Sequence, residues 1–114
     1  MTKIVINRCF GGFDLSDEAY EKVAIRKGWT RCIHSQYGYA FWMTKDNHAV
    51  HAYDLDRNDQ DLVIVVESMG ERSWGDHSEL MVVDVPNDVK WQIKSFDGLE
   101  HVAEVHRTWP TLDE

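Results

Sequence analysis

An α+β fold, one small sheet with two to three helices packed on it, is predicted by three features of this sequence. Runs such as Lys3-Ile4-Val5-Ile6-Asn7 are apolar and β-branched, as buried strands are. Two stretches begin at a capping residue, continue at helical spacing and stop at glycine. Short turn signals, Lys45-Asp46-Asn47 and Pro86-Asn87-Asp88, divide the remaining strand-like segments into neighbours. The expected order is β-α-β-β-α-β-β-α, helices layered on a sheet.

Taken in order, Lys3 to Asn7 is the first strand, and Phe10 to Leu15 is a loop around Gly11-Gly12. Ser16 caps the first helix, with Asp17 and Glu18 where the helix dipole favours acids. Ala19, Tyr20, Val23, Ala24 and Lys27 keep helical spacing until Gly28. Alternation of Tyr37, Tyr39, Phe41 and Met43 predicts a strand after the Gly38 region, and His48 to Tyr53 returns beside it as a hairpin. Asn58 or Asp59 caps a second helix in which Leu62, Val65, Val66 and Met69 share a face before Gly70. Its β-branched residues would also suit a strand, but the cap and the glycine favour helix. Glu71 to Ser78 reads as a loop, Leu80 to Val85 as a strand, and Val89 to Phe96 as its returning partner. Asp97 is expected to cap a last short helix with Leu99, Val102, Ala103 and His106 on one side.

The 114 residues suit a single domain, and 43% apolar content with five tryptophans is enough for a core. A net charge of −8 argues against nucleic-acid binding, which needs a concentrated basic surface. It leaves solubility alone, a basic protein partner, or a small basic pocket within a negative exterior. Nothing approaches a membrane span, and the first residues lack the apolar core of a signal peptide. The expected setting is cytoplasmic, with Cys9 and Cys32 as free thiols.

Several segments carry candidate chemistry. A strand emptying into Gly11-Gly12 and then a capped helix can present backbone N–H groups to an anion. Arg8 would add a charged fork, and Phe10 or Phe13 a ring for a base. The simpler reading is a tight β–α connection with both rings in the core. The segment is neither a dinucleotide fingerprint nor a P-loop. At the other end, His106-Arg107-Thr108-Trp109 offers a second guanidinium and a stacking indole, or else a core plug and an ordinary ion pair. Trp74 lies in a loop, as a binding anchor or as a lid on the sheet edge. His48 and His51 with Asp54 and Asp56 are metal-binding residue types at a spacing that matches no established site, so no metal is expected. The Asp54-to-Asp61 run lacks the glycine and glutamate of a calcium loop. Cys9 has no base beside it in sequence and reads as buried and inert.

The segments Lys3 to Phe13 with Leu15-Ser16, Arg57-Asn58-Asp59 with Leu62-Val63 and Val65-Val66-Glu67, Leu80 to Pro86, and Asp97-Gly98 with Val102-Ala103-Glu104 and His106 to Trp109 together resemble a small protein family met mostly in bacteriophage genomes. The resemblance covers most of the chain outside Trp29 to Tyr53. It implies a phage accessory protein acting in the host cytoplasm and transfers no catalytic residue. The resulting expectation is capture of an anionic, nucleotide-like small molecule, without catalysis or cofactor, blunting a host defence signal. Arg8, Gly11, Gly12 and Arg107 would hold phosphate, with Phe10, Phe13, Trp74 or Trp109 stacked on the base and His106 nearby. This requires the two chain ends to meet. The alternative is an acidic inhibitor that docks on a basic host protein, using Trp74. A small nucleotide hydrolase built on His106 or the His48/His51 pair ranks third. Nucleic acid and membranes are not expected partners, and a homodimer is compatible with the sequence.

Overall fold

The computed structural model describes residues 1–51 and 54–105. Its centre is β1 (Thr2–Asn7), paired antiparallel with β5 (Leu80–Val85) from Thr2↔Val85 to Asn7↔Leu80. Ile4, Val5, Ile6 and Asn7 are all buried, so both faces of this strand are covered. Period-2 geometry sends Val5 to one side and Ile4 and Ile6 to the other. Val5 joins the helical core with Leu15, Ala19, Val23, Leu62 and Val66. Ile4 and Ile6 join Val85, with Trp91, Ile93 and Val102 packed beneath. A strand covered on both faces needs an unbroken apolar run, which Ile4-Val5-Ile6 supplies. Each such side chain contributes about 1.5–3 kcal/mol of burial.

The helices form as the local signals require. Helix α1 (Asp17–Lys27) starts where the Ser16 hydroxyl accepts from Ala19 N–H and ends at Gly28 in the left-handed region, φ 75°. Helix α2 (Gln60–Met69) starts where the Asp59 carboxylate accepts from Leu62 N–H and ends at Gly70. Its β-branched residues cost some helix propensity, but burial of Leu62, Val63, Val65, Val66 and Met69 outweighs that. Lys27 bridges Asp59 at 2.6 Å and Asp61 at 3.1 Å, joining the end of α1 to the start of α2. A 3-10 turn, Gly70–Ser73, follows.

Three expectations are corrected. Where one sheet was expected, the described residues form three small ones: β1–β5, a three-stranded sheet and a hairpin. The three-stranded sheet consists of β2 (Thr30–Ile33), β3 (Ala40–Met43) and β4 (Ala49–Val50). Its β3–β4 turn holds Asn47 at φ 64°, as the Lys45-Asp46-Asn47 signal suggests, and β3 begins after Gly38, where the alternation places it, but β2 was not anticipated. The expected continuation to Tyr53 runs out of the described residues. Next, β6 (Trp91–Phe96) does not return along β5, because β1 is the partner of β5. It pairs instead with β7 (Leu99–Glu104). Finally, that strand stands where the last helix was expected. Asp97 at φ 49° and Gly98 at φ 89° make a two-residue turn of the kind that suits a hairpin. Asp97 is thus a turn residue and not a helix cap. No helix among the described residues is long and apolar enough to cross a membrane.

Candidate functional site

The Gly11-Gly12 loop is a packing junction. A side chain at Gly11 would meet the His77 carbonyl oxygen at 2.0 Å. One at Gly98 would lie 2.5 Å from Gly12 N and 2.9 Å from Gly11 N, so the two amide nitrogens face the β6–β7 turn. Ser78 Oγ donates to Asp14 O, and Leu15 bridges Trp74, closing the loop against the segment before β5. Trp74 is half-buried and packs on the helical core. Phe13 is covered from one side: the Arg57 guanidinium sits 3.6 Å from its ring centroid.

Arg57 belongs to a polar knot that the sequence reading did not identify. Its guanidinium donates to both Glu100 oxygens, at 2.6 and 2.9 Å. Glu100 Oε1 also accepts from Asn7 N–H at 2.7 Å. The buried Asn7 side chain donates to Cys9 O and Gly98 O and accepts from Glu79 N–H. Among the described residues no fully buried side-chain nitrogen or oxygen lacks a partner, as burial requires. Cys9 Sγ lies 3.0 Å from His77 O, a backbone contact that supplies no base.

The open surface lies elsewhere. A groove of about 1060 Å³ separates the start of α1 from the three-stranded sheet. Cross-strand register places Arg31, Trp42 and Val50 in one row across all three strands, and all of them line the groove. Tyr39 and Phe41 add rings to this wall. Asp17, Glu18 and Glu21 form the facing wall on α1, with Glu18 also paired to Arg72. No residue of β2, β3 or β4 is buried, so the sheet adds nothing to the core that would explain its aromatic content. At Tyr20 and His51 the groove meets a second recess of about 440 Å³, lined by Gly11, Gly12, Phe13, Asp14, Asp76 and His77. The two together present five carboxylates, Asp14, Asp17, Glu18, Glu21 and Asp76, against the one guanidinium of Arg31. His34 is stacked between Tyr37 and Tyr39, and its Nδ1 accepts from the N–H groups of Gln36 and Tyr37, which shapes the β2–β3 turn.

The expected site residues therefore divide. Gly11, Gly12 and Phe13 line the smaller recess, whereas Arg8 and Phe10 point to the β6–β7 hairpin and Trp74 to the core. His106, Arg107 and Trp109 lie outside the described residues. Among the described residues, no group of three His, Cys, Asp or Glu side chains is placed to hold a metal ion. Of the groove residues, Tyr39 and Phe41 had one legible trace, the alternation from Tyr37 to Met43; Arg31, Trp42 and the meeting with α1 had none.

Two of the perturbed ionisable groups, Asp61 and Lys27, serve the helix junction, and a third, Lys3, is raised by its bond to Glu67. Burial would raise the Asp61 carboxyl, but hydrogen bonds from Lys27 and Arg26 outweigh it and leave it below the usual carboxylate range. Burial would lower Lys27, but its bonds to Asp59 and Asp61 leave it raised.

Set against known protein families, curated proteins and solved structures, the chain matches none.

Proposed function

We propose that the protein works by binding, and that its groove grips a basic, apolar-flanked segment of a partner protein. The carrying observation is the lining: three carboxylates on α1 face the Arg31–Trp42–Val50 row across the gap. Lysine or arginine side chains of a ligand would meet Asp17 and Glu21, and their stems or neighbouring apolar groups would lie on Trp42 and Val50. Arg31 would take a ligand carbonyl or carboxylate. The net charge of −8 would speed encounter with such a partner. This keeps the acidic inhibitor of the sequence analysis but moves its anchor from Trp74, which packs on the core, to the groove, and a phage accessory protein that blocks a host factor is a setting that suits it. Capture of an anion has less support in this groove, since Arg8 is not in its lining and the acidic wall repels phosphate.

The test is a titration with a peptide of alternating arginine and leucine, read by tryptophan fluorescence at low and high salt. Binding is expected, weakening as salt rises and lost in a Glu21→Lys/Trp42→Ala variant. An acidic peptide of the same length binding as well as the basic one would overturn the reading.

A further inference from the structure

The outer face of the β6–β7 hairpin carries a second, independent signal. Ile93 and Val102 point inward to the core, so their neighbours point outward. Those neighbours are Lys94, opposite His101, and Phe96, opposite Leu99. Lys94 and His101 are exposed, and Phe96 is 70% exposed. Two residues of the loop after β1 reach the same hairpin. Arg8 Nη1 donates to Glu100 O at 2.7 Å, beside His101. The Phe10 ring, 66% exposed, meets Phe96 edge-on with centroids 6.4 Å apart and planes at 79°.

Two exposed phenylalanines in contact are costly in water unless something covers them. The loops beneath fix their placement, because the Gly98 backbone is too close to Gly11 and Gly12 to admit even a methyl group. On a protein of net charge −8, Lys94 and His101 share the outer face of the hairpin with Phe96, and Arg8 is bonded to the same hairpin. The Arg8 contact to Glu100 uses one of five guanidinium N–H groups and orients the rest.

We propose that this face is a stacking platform for a nucleoside phosphate, free or as one unit of a single strand, with Phe10 and Phe96 against the base and Arg8 and Lys94 at the phosphate. Stacking on a ring tolerates any base, and the cations supply the attraction for phosphate. The acidic remainder of the molecule limits the footprint to a short ligand. The platform shares no residue with the lining of the α1 groove.

The experiment is an amide NMR titration of the full chain with adenosine 5′-monophosphate, a short oligothymidylate and inorganic phosphate as separate probes. Shifts are expected for Arg8 to Gly11 and Lys94 to His101 with either nucleotide probe. A Phe10→Leu/Phe96→Leu variant should weaken binding about tenfold, and Lys94→Gln should lower its salt dependence. Both rings are mostly exposed, so an unchanged melting temperature will show that the variant is folded. Tighter binding of the oligonucleotide identifies a strand as the source, and equal binding identifies the free nucleotide. Absence of shifts with both nucleotide probes at millimolar concentration overturns the proposal. So do equal shifts with inorganic phosphate alone, or undiminished binding by the double variant.

Discussion

Two regions of this protein hold the same kinds of side chain and use them differently. Around Glu100, an arginine, a carboxylate and a phenylalanine close on one another: Arg57 is bidentate to Glu100 and lies over Phe13. Across the α1 groove, carboxylates, an arginine and aromatic rings face each other over a gap. The first set is closed on itself, with Glu100 buried and Arg57 and Phe13 half-buried, so its chemistry is spent on holding β1, β7 and the Arg57 segment together. The second set faces space that another molecule can enter. Residue type alone does not mark a site; what marks it is whether the partners are already present.

The largest effect that would test this contrast is expected at the knot. Glu100→Ala should cost about 3 kcal/mol in urea unfolding, because the part-buried Arg57 loses its carboxylate and the buried Asn7 N–H loses its acceptor. An Arg57→Met/Glu100→Leu double variant should lose clearly less than the sum of the single changes, though Asn7 N–H then lacks its acceptor. A cost near zero for Glu100→Ala would mean that the knot is not closed in solution. Next comes Gly98→Ala, which combines a positive φ with a clash against Gly12 and should cost about 2 kcal/mol by the same measurement. Removing the cap at Asp59 or Ser16 by alanine should cost about 1 kcal/mol each in thermal melts.

Acid should act more weakly. Asp61 has a folded pKa below its unfolded one, so its contribution is full above the unfolded carboxylate value. That contribution is lost as pH falls through the lower, folded value. Stability should therefore decline below about pH 4 by under about 1 kcal/mol from this group, and Asp61→Asn should flatten that part of the profile. The smallest stability change is expected in the groove. Tyr39→Ser, at a position 54% exposed, should change unfolding by less than about 1 kcal/mol while weakening the basic peptide. A large loss of stability there would erase the distinction between the two regions.

What was readable in the residues follows the range of the interactions. Ser16, Gly28, Asp59 and Gly70 act within one helical turn of their own position, so both helices and their ends were legible. Ile4-Val5-Ile6 announced a strand covered on both sides. Asp97-Gly98 carried a hairpin signal as well as a capping one, and the helical spacing of Leu99, Val102 and Ala103 led to the wrong choice. Capping needs a carboxylate before free N–H groups, whereas here both residues take positive φ and the following residues find a partner strand in β6. Gly11-Gly12 signalled a special backbone, but not that its neighbours would be His77 and Gly98.

Local chemistry in the chain thus dictated where helices start and stop, which strand is central, and a surface dominated by acid. Strand pairing, the Arg57–Glu100–Asn7 closure, the groove beside α1 and the meeting of Phe10 with Phe96 were set by the folded chain. Those contacts join residues far apart in sequence, and a pairing register or a satisfied buried charge exists only once the distant partner has arrived.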